Sequence, residues 1–98
     1  MSFHIQYSSK RFTKEIRKFT PEEQKIIDAA LNVLRVNPKP NEFDYGHVNR
    51  NTEIKRIKSR RLRIFYKIDK NHQKIIIGKV INRDSTLYST DPAEWFSA

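Results

Sequence analysis

Residues Lys55 to Ile68 read KRIKSRRLRIFYKI, and this stretch decides the fold. Basic and apolar residues alternate on both sides of Arg60-Arg61, which is the period of two strands joined by a tight turn. A turn through those two arginines sets Ser59 opposite Leu62, Lys58 opposite Arg63, Ile57 opposite Ile64 and Arg56 opposite Phe65. Side chains alternate across a sheet, so Arg56, Lys58, Arg63 and Phe65 share one face while Ile57, Leu62, Ile64 and Tyr66 share the other. A four-residue loop keeps this register and an odd-length loop breaks it.

Working outward, Lys74 to Asn82 supplies a third strand after a turn over Asp69 to Gln73, and Ile54 to Ser59 and Leu62 to Asp69 are the first two, giving an antiparallel meander. Gly78 inside the third strand marks a bulge or a close approach of another group to the backbone. Upstream, Phe3, Ile5 and Tyr7 alternate as in a half-buried strand. Residues 9–19 place Phe12, Ile16 and Phe19 on one helical stripe. Thr20-Pro21-Glu22-Glu23 then carries a capping box with proline at the first helical position, opening a second helix that buries Ile27, Ala30, Leu31 and Leu34. That helix ends before Asn37-Pro38, since a residue preceding proline is pushed out of the α region. Residues 37–51, with two prolines, a glycine and four asparagines, read as an irregular connection. The expected fold is therefore α+β: an N-terminal strand and a helical hairpin packed on one face of a mainly antiparallel four-stranded sheet, in the order β-α-α-β-β-β, within a single domain spanning residues 1–98. Trp95 and Phe96 are expected to dock on the sheet or on a partner.

The formal net charge is +9, from 20 Lys and Arg against 11 Asp and Glu, which argues for a polyanionic partner. Its distribution is uneven. Residues 55–83 contain Lys55, Arg56, Lys58, Arg60, Arg61, Arg63, Lys67, Lys70, Lys74, Lys79 and Arg83 against Asp69 alone, and the rest of the chain is close to neutral. The absence of cysteine excludes disulfides and thiolate metal sites. No hydrophobic signal core or membrane-length apolar run is present, so a soluble cytoplasmic protein is expected, with no membrane partner.

Lys58 and Arg63 directly opposite each other disfavour folding by ~0.2 to 1 kcal/mol unless an anion lies between them. Local rules are broken in this way at functional sites. Phe65 on the same face offers a ring on which a base can stack beside phosphate-binding cations. Basic side chains that merely protect a strand edge are the plainer alternative. His4, His47 and His72 lack metal-ligand spacing, and there is no glycine-rich phosphate loop, so neither a metal nor a cofactor is expected and the enzymatic option is metal-independent. In RNA, a 2′-hydroxyl can attack its own 3′ phosphate given a base, cations around the phosphate and an acid for the 5′ oxygen. Lys58, crowded by positive charge, is the candidate base, and the arginines suit the phosphate. Lys55, Arg56, Arg60, Arg61 and Phe65 are the candidate RNA-binding residues.

The order strand, helix hairpin, basic hairpin ending in RLRIFYKI, then a hydrophobic strand leading to INRDSTLY, resembles the RelE/ParE superfamily of toxins from toxin-antitoxin systems over nearly the whole chain. Arg63-Ile64-Phe65-Tyr66 is similar to the family's Arg-hydrophobic-hydrophobic-Tyr strand. The resemblance implies a RelE-like fold and an endoribonuclease cleaving ribosome-bound mRNA, neutralised by an antitoxin encoded beside it. It implies that Arg56 and Lys58 are the paired basic residues of the second strand, that Arg63 holds the scissile phosphate, that Arg83 is leaving-group acid or phosphate ligand, and that Tyr88 orients or stacks on the nucleotide. Two alternatives accompany it: a ParE-like inhibitor of DNA gyrase, and a basic nucleic-acid binder without chemistry.

Overall fold

The computed structural model describes residues 2–8, 14–40, 43–48, 51–82 and Phe96. Among these, five strands form one sheet: β1 (His4–Tyr7), β2 (Gly46–Val48), β3 (Asn51–Ser59), β4 (Leu62–Asp69) and β5 (Lys74–Asn82), with α1 (Pro21–Val36) between β1 and β2. The spatial order is β1-β5-β4-β3-β2. Only β1 and β5 run parallel, His4 to Tyr7 lying beside Lys74 to Ile77, and the other pairs are antiparallel.

The second helix forms for the reasons its sequence gives. Thr20 Oγ1 accepts from the Glu23 amide at 3.1 Å, and Glu23 Oε1 accepts from the Thr20 amide at 3.0 Å. A cap of this kind stabilises a helix by about 1 kcal/mol. Glu22 and Glu23 in the first turn and Arg35 in the last complement the helix dipole. Ile27, Ala30, Leu31 and Leu34 form its buried stripe, and Asn37 ends it with an extended backbone. Of the helix expected over residues 9–19, residues 9–13 lie outside the described residues; residues 14–16 are helical, and Ile16 and Phe19 pack on the main core.

The meander has the expected strand bounds for β4 and β5, and β3 begins three residues before the expected Ile54. The expected register is present: Ser59 pairs with Leu62, Lys58 with Arg63, Ile57 with Ile64 and Arg56 with Phe65. Arg60 takes the left-handed φ of 56° to make the turn. A residue with a Cβ is disfavoured there, so Arg60→Gly should stabilise the fold by up to ~1 kcal/mol in a denaturant titration. Arg60's contact with Glu22, 3.9 Å between two exposed side chains, offsets little of that gain. At the opposite end the Asp69 carboxylate accepts from the His72 amide at 3.2 Å and meets its ring at 2.9 Å, closing the turn into β5.

The sheet has five strands, one more than expected. β2 lies inside the stretch read as an irregular connection, with Gly46 beside Arg56, His47 beside Lys55, and a register shift before Val48. Three residues with one apolar side chain carry no detectable period; pairing with β3 creates the strand.

Two apolar clusters sandwich the sheet. The larger joins the α1 stripe to Ile57, Leu62, Ile64, Tyr66, Ile75, Ile77 and Val80. Within it the Tyr66 hydroxyl donates to Pro38 O at 2.6 Å, fastening β4 to the chain that leaves α1. Burial foremost, with Tyr45 nearby as the lesser cause, holds the Tyr66 phenol well above its ordinary value. A phenol that ionises less readily folded than unfolded leaves stability intact below about pH 10 and erodes it as pH rises further. Tyr66→Phe should therefore be about 1 kcal/mol less stable at pH 9, from the lost hydrogen bond, and that deficit should narrow by about 1.4 kcal/mol per pH unit above 10. Urea titrations at pH 9 and 11 measure both values.

The smaller cluster is Ile54, Phe65 and Ile81, with Val48 and Phe96 packed against it on the opposite face. Gly78 is the extra residue of a bulge, since Phe65 pairs with Lys79 while Tyr66 pairs with Ile77. A Cβ on Gly78 would fall 2.7 Å from Cε1 and Cε2 of Phe96. Both readings of this glycine hold: it bulges, and it admits a ring against the backbone. Phe96 docks on the sheet as expected; Trp95 lies outside the described residues.

Candidate nucleic-acid interface

The face of the sheet opposite α1 carries Arg56 and Lys58 on β3 and Arg63 on β4. Lys58 and Arg63 are direct cross-strand partners, and Arg63 is flanked on its other side by Ile81 of β5. All three cations are half-buried, and the paired strands on either side fix their backbones. This is the cluster the alternation of the sequence brings together.

The segment leading into β2 adds two groups to it. Asp44 Oδ2 lies 3.4 Å from Lys58 Nζ, so the opposed charges of Lys58 and Arg63 have a carboxylate beside them. Gly46 lies beside Arg56, whose Nη2 is 3.0 Å from the place a Cβ would occupy. The bare backbone of Gly46 thus lets the guanidinium lie over the edge strand. Arg56 Nε is buried there without a hydrogen-bond partner. An unpaired buried donor costs about 1–3 kcal/mol. Asp44 and Gly46 were not among the residues singled out from sequence, and the only local signals were a glycine and an acid in a stretch that reads as loop.

The remaining candidates separate into three groups. Phe65 is 2% exposed, beneath Phe96 and beside Ile54 and Ile81, so its ring is not offered to a base. This corrects the stacking role: alternation assigns the right face, but the face is covered at that point. Lys55 pairs with Tyr66 and therefore falls on the α1 side of the sheet, away from Lys58 and Arg63. Arg60 and Arg61 lie at the hairpin tip, lining a hollow of about 310 Å³ with Glu22, Glu23, Ile26, Leu62 and Asn82. Arg83 and Tyr88 lie outside the described residues.

Beyond the covered Phe65, Lys67 Nζ sits 4.9 Å from the centroid of the Phe96 ring. A cation over an aromatic face contributes about 0.5–1 kcal/mol at such a site, which helps hold Phe96 in place. Among the described residues no three His, Asp or Glu side chains gather to hold a metal ion, and no helix is long and apolar enough to cross a membrane. Chemically, the face offers planar guanidinium donors and the Lys58 ammonium to phosphate oxygens, with the Asp44 carboxylate as an acceptor beside them.

The sequence matches no protein-family model and no curated relative. Its fold, however, is that of solved RelE structures. The chain superposes on archaeal RelE from a RelE-RelB complex of Pyrococcus horikoshii with a TM-score of 0.73 and 17% identity, covering 88% of this chain and 100% of that one. An arginine-substituted E. coli toxin RelE in the free state gives a TM-score of 0.74 with 14% identity over 96% of this chain and 97% of that one. The RelB-RelE antitoxin-toxin complex of Methanococcus jannaschii gives 0.68 with 17% identity, over 89% and 99%.

Proposed function

We propose that this chain is a RelE-type toxin of a toxin-antitoxin pair, a cytoplasmic, metal-independent endoribonuclease that cuts ribosome-bound mRNA and is neutralised by a cognate antitoxin. The observation that carries the reading is the basic cluster of Arg56, Lys58 and Arg63 on the face opposite α1, in a chain whose RelE-like fold spans most of its length. In the reaction, the 2′-oxygen loses its proton to a base, for which Lys58 in its neutral amine form is the candidate, the ammonium form serving to bind phosphate, and bonds to the adjacent phosphorus. The bond from phosphorus to the 5′ oxygen breaks, and that oxygen takes up a proton, leaving a 2′,3′-cyclic phosphate. Arg63 and Arg56 hold the non-bridging oxygens as their charge grows, which is the form of stabilisation preorganised guanidinium groups provide. Arg83 is assigned to the leaving group or phosphate, and Tyr88 to orienting the nucleotide. RelE chains bound to RelB in solved complexes support assigning this chain an antitoxin partner as well.

Primer extension on ribosome-bound transcripts, run beside a gyrase supercoiling assay, tests the assignment. Cleavage that disappears in folded Arg63→Ala and Arg83→Ala proteins, with gyrase unaffected, is the expected result. Inhibited supercoiling with intact transcripts would replace the reading with gyrase poisoning.

A further inference from the structure

We propose that Asp44 is a built-in counter-ion of the basic face, holding Lys58 in the free protein and giving it up to a phosphate of single-stranded RNA. The inference rests on the reading of that face as an RNA site and concerns how the site is kept when empty. Phe43 and Tyr45 both pack on the main core, which pins the backbone on either side of Asp44. Asp44 itself adopts φ 54°, in the left-handed region that aspartate and asparagine tolerate better than most residues. Its carboxylate reaches Lys58 at 3.4 Å, and two residues on, Gly46 makes room for the Arg56 guanidinium. One short segment therefore meets both β3 cations of the cluster, one with a charge and the other with bare backbone.

The pair is loose enough to exchange. The Lys58 side chain is 35% exposed and that of Asp44 68%, and exposed ion pairs of this kind are weak. Their separation removes only a few-fold of RNA affinity. The exchange also has a salt signature. A free lysine that meets a phosphate of single-stranded nucleic acid releases a condensed cation, adding about 0.7 to the slope of log affinity against log salt. A lysine taken from Asp44 leaves a carboxylate that must recover a cation from solution, so its contribution to the slope largely cancels.

Asp44→Asn removes the charge and keeps a residue suited to the left-handed backbone. The probe is a labelled 2′-O-methyl oligouridylate, which lacks the nucleophilic hydroxyl and so reports binding alone. Asp44→Asn is expected to bind it several-fold more tightly at low salt, with a slope steeper by about 0.7, and Lys58→Ala added to Asp44→Asn should return the slope to the wild-type value. Asp28→Asn, the same charge change on exposed α1, should leave both quantities within a small general effect. Equal effects of Asp44→Asn and Asp28→Asn, or no effect of Asp44→Asn on binding that Arg63→Ala abolishes, would overturn the counter-ion role alone. Wild-type binding that is absent or insensitive to Arg63→Ala would instead overturn the RNA site, and the counter-ion role with it.

Discussion

Arg63→Ala is expected to lower transcript cleavage at least a hundredfold while shifting the melting temperature by no more than a few degrees. Arg63 sits on β4 near the middle of the sheet, with Lys58 on one side and Ile81 on the other, so its backbone is held by both neighbours. It belongs to neither apolar cluster, and removing it relieves the like-charge opposition to Lys58. Its value lies in presenting planar, permanently charged donors where phosphate charge develops, and the loss of one such preorganised donor costs about 10²–10³ in rate. Arg63→Lys should recover little of that, because an ammonium does not reproduce the two-pronged contact of a guanidinium. Cleavage by folded Arg63→Ala within a few-fold of wild type would remove the arginine from the proposed reaction.

The hairpin register was legible because two independent patterns agree on it. Ile57, Ile64 and Tyr66 alternate with basic residues along both strands, and the two-residue connection through Arg60 and Arg61 preserves the phase. The start of α1 was equally plain, since Thr20, Pro21 and Glu23 each serve a separate requirement of a helix N-terminus. What escaped the sequence depends on distant partners. β2 exists only because β3 offers it an edge, and Asp44 becomes a site residue only because Phe43 and Tyr45 anchor its loop near Lys58. Lys55 is the converse case: charge nominates it, and the strand period applied to Tyr66 assigns it to the α1 side, away from Lys58 and Arg63.

Phe65 is where sequence and structure disagree in function, and Phe65→Ala distinguishes the two accounts. An exposed ring that stacks a base would be dispensable for folding, and its loss would weaken RNA binding by about 1–3 kcal/mol per base. A ring 2% exposed between Ile54, Ile81 and Phe96 is part of a core, and truncating a buried phenylalanine costs about 3–5 kcal/mol. The expected result is a loss of about 3 kcal/mol, which in a domain of this size lowers the melting temperature by roughly 12 to 24 °C. Phe65→Leu keeps most of the buried volume and should fold, so it carries the binding measurement: RNA affinity close to wild type is expected. Phe96→Ala should destabilise in the same direction by less, and the Phe65→Ala, Phe96→Ala double variant should lose less than the two single losses combined, because the rings share one cluster. A stable Phe65→Ala protein with impaired RNA binding would restore the stacking role and mean that Phe96 leaves the face when RNA arrives.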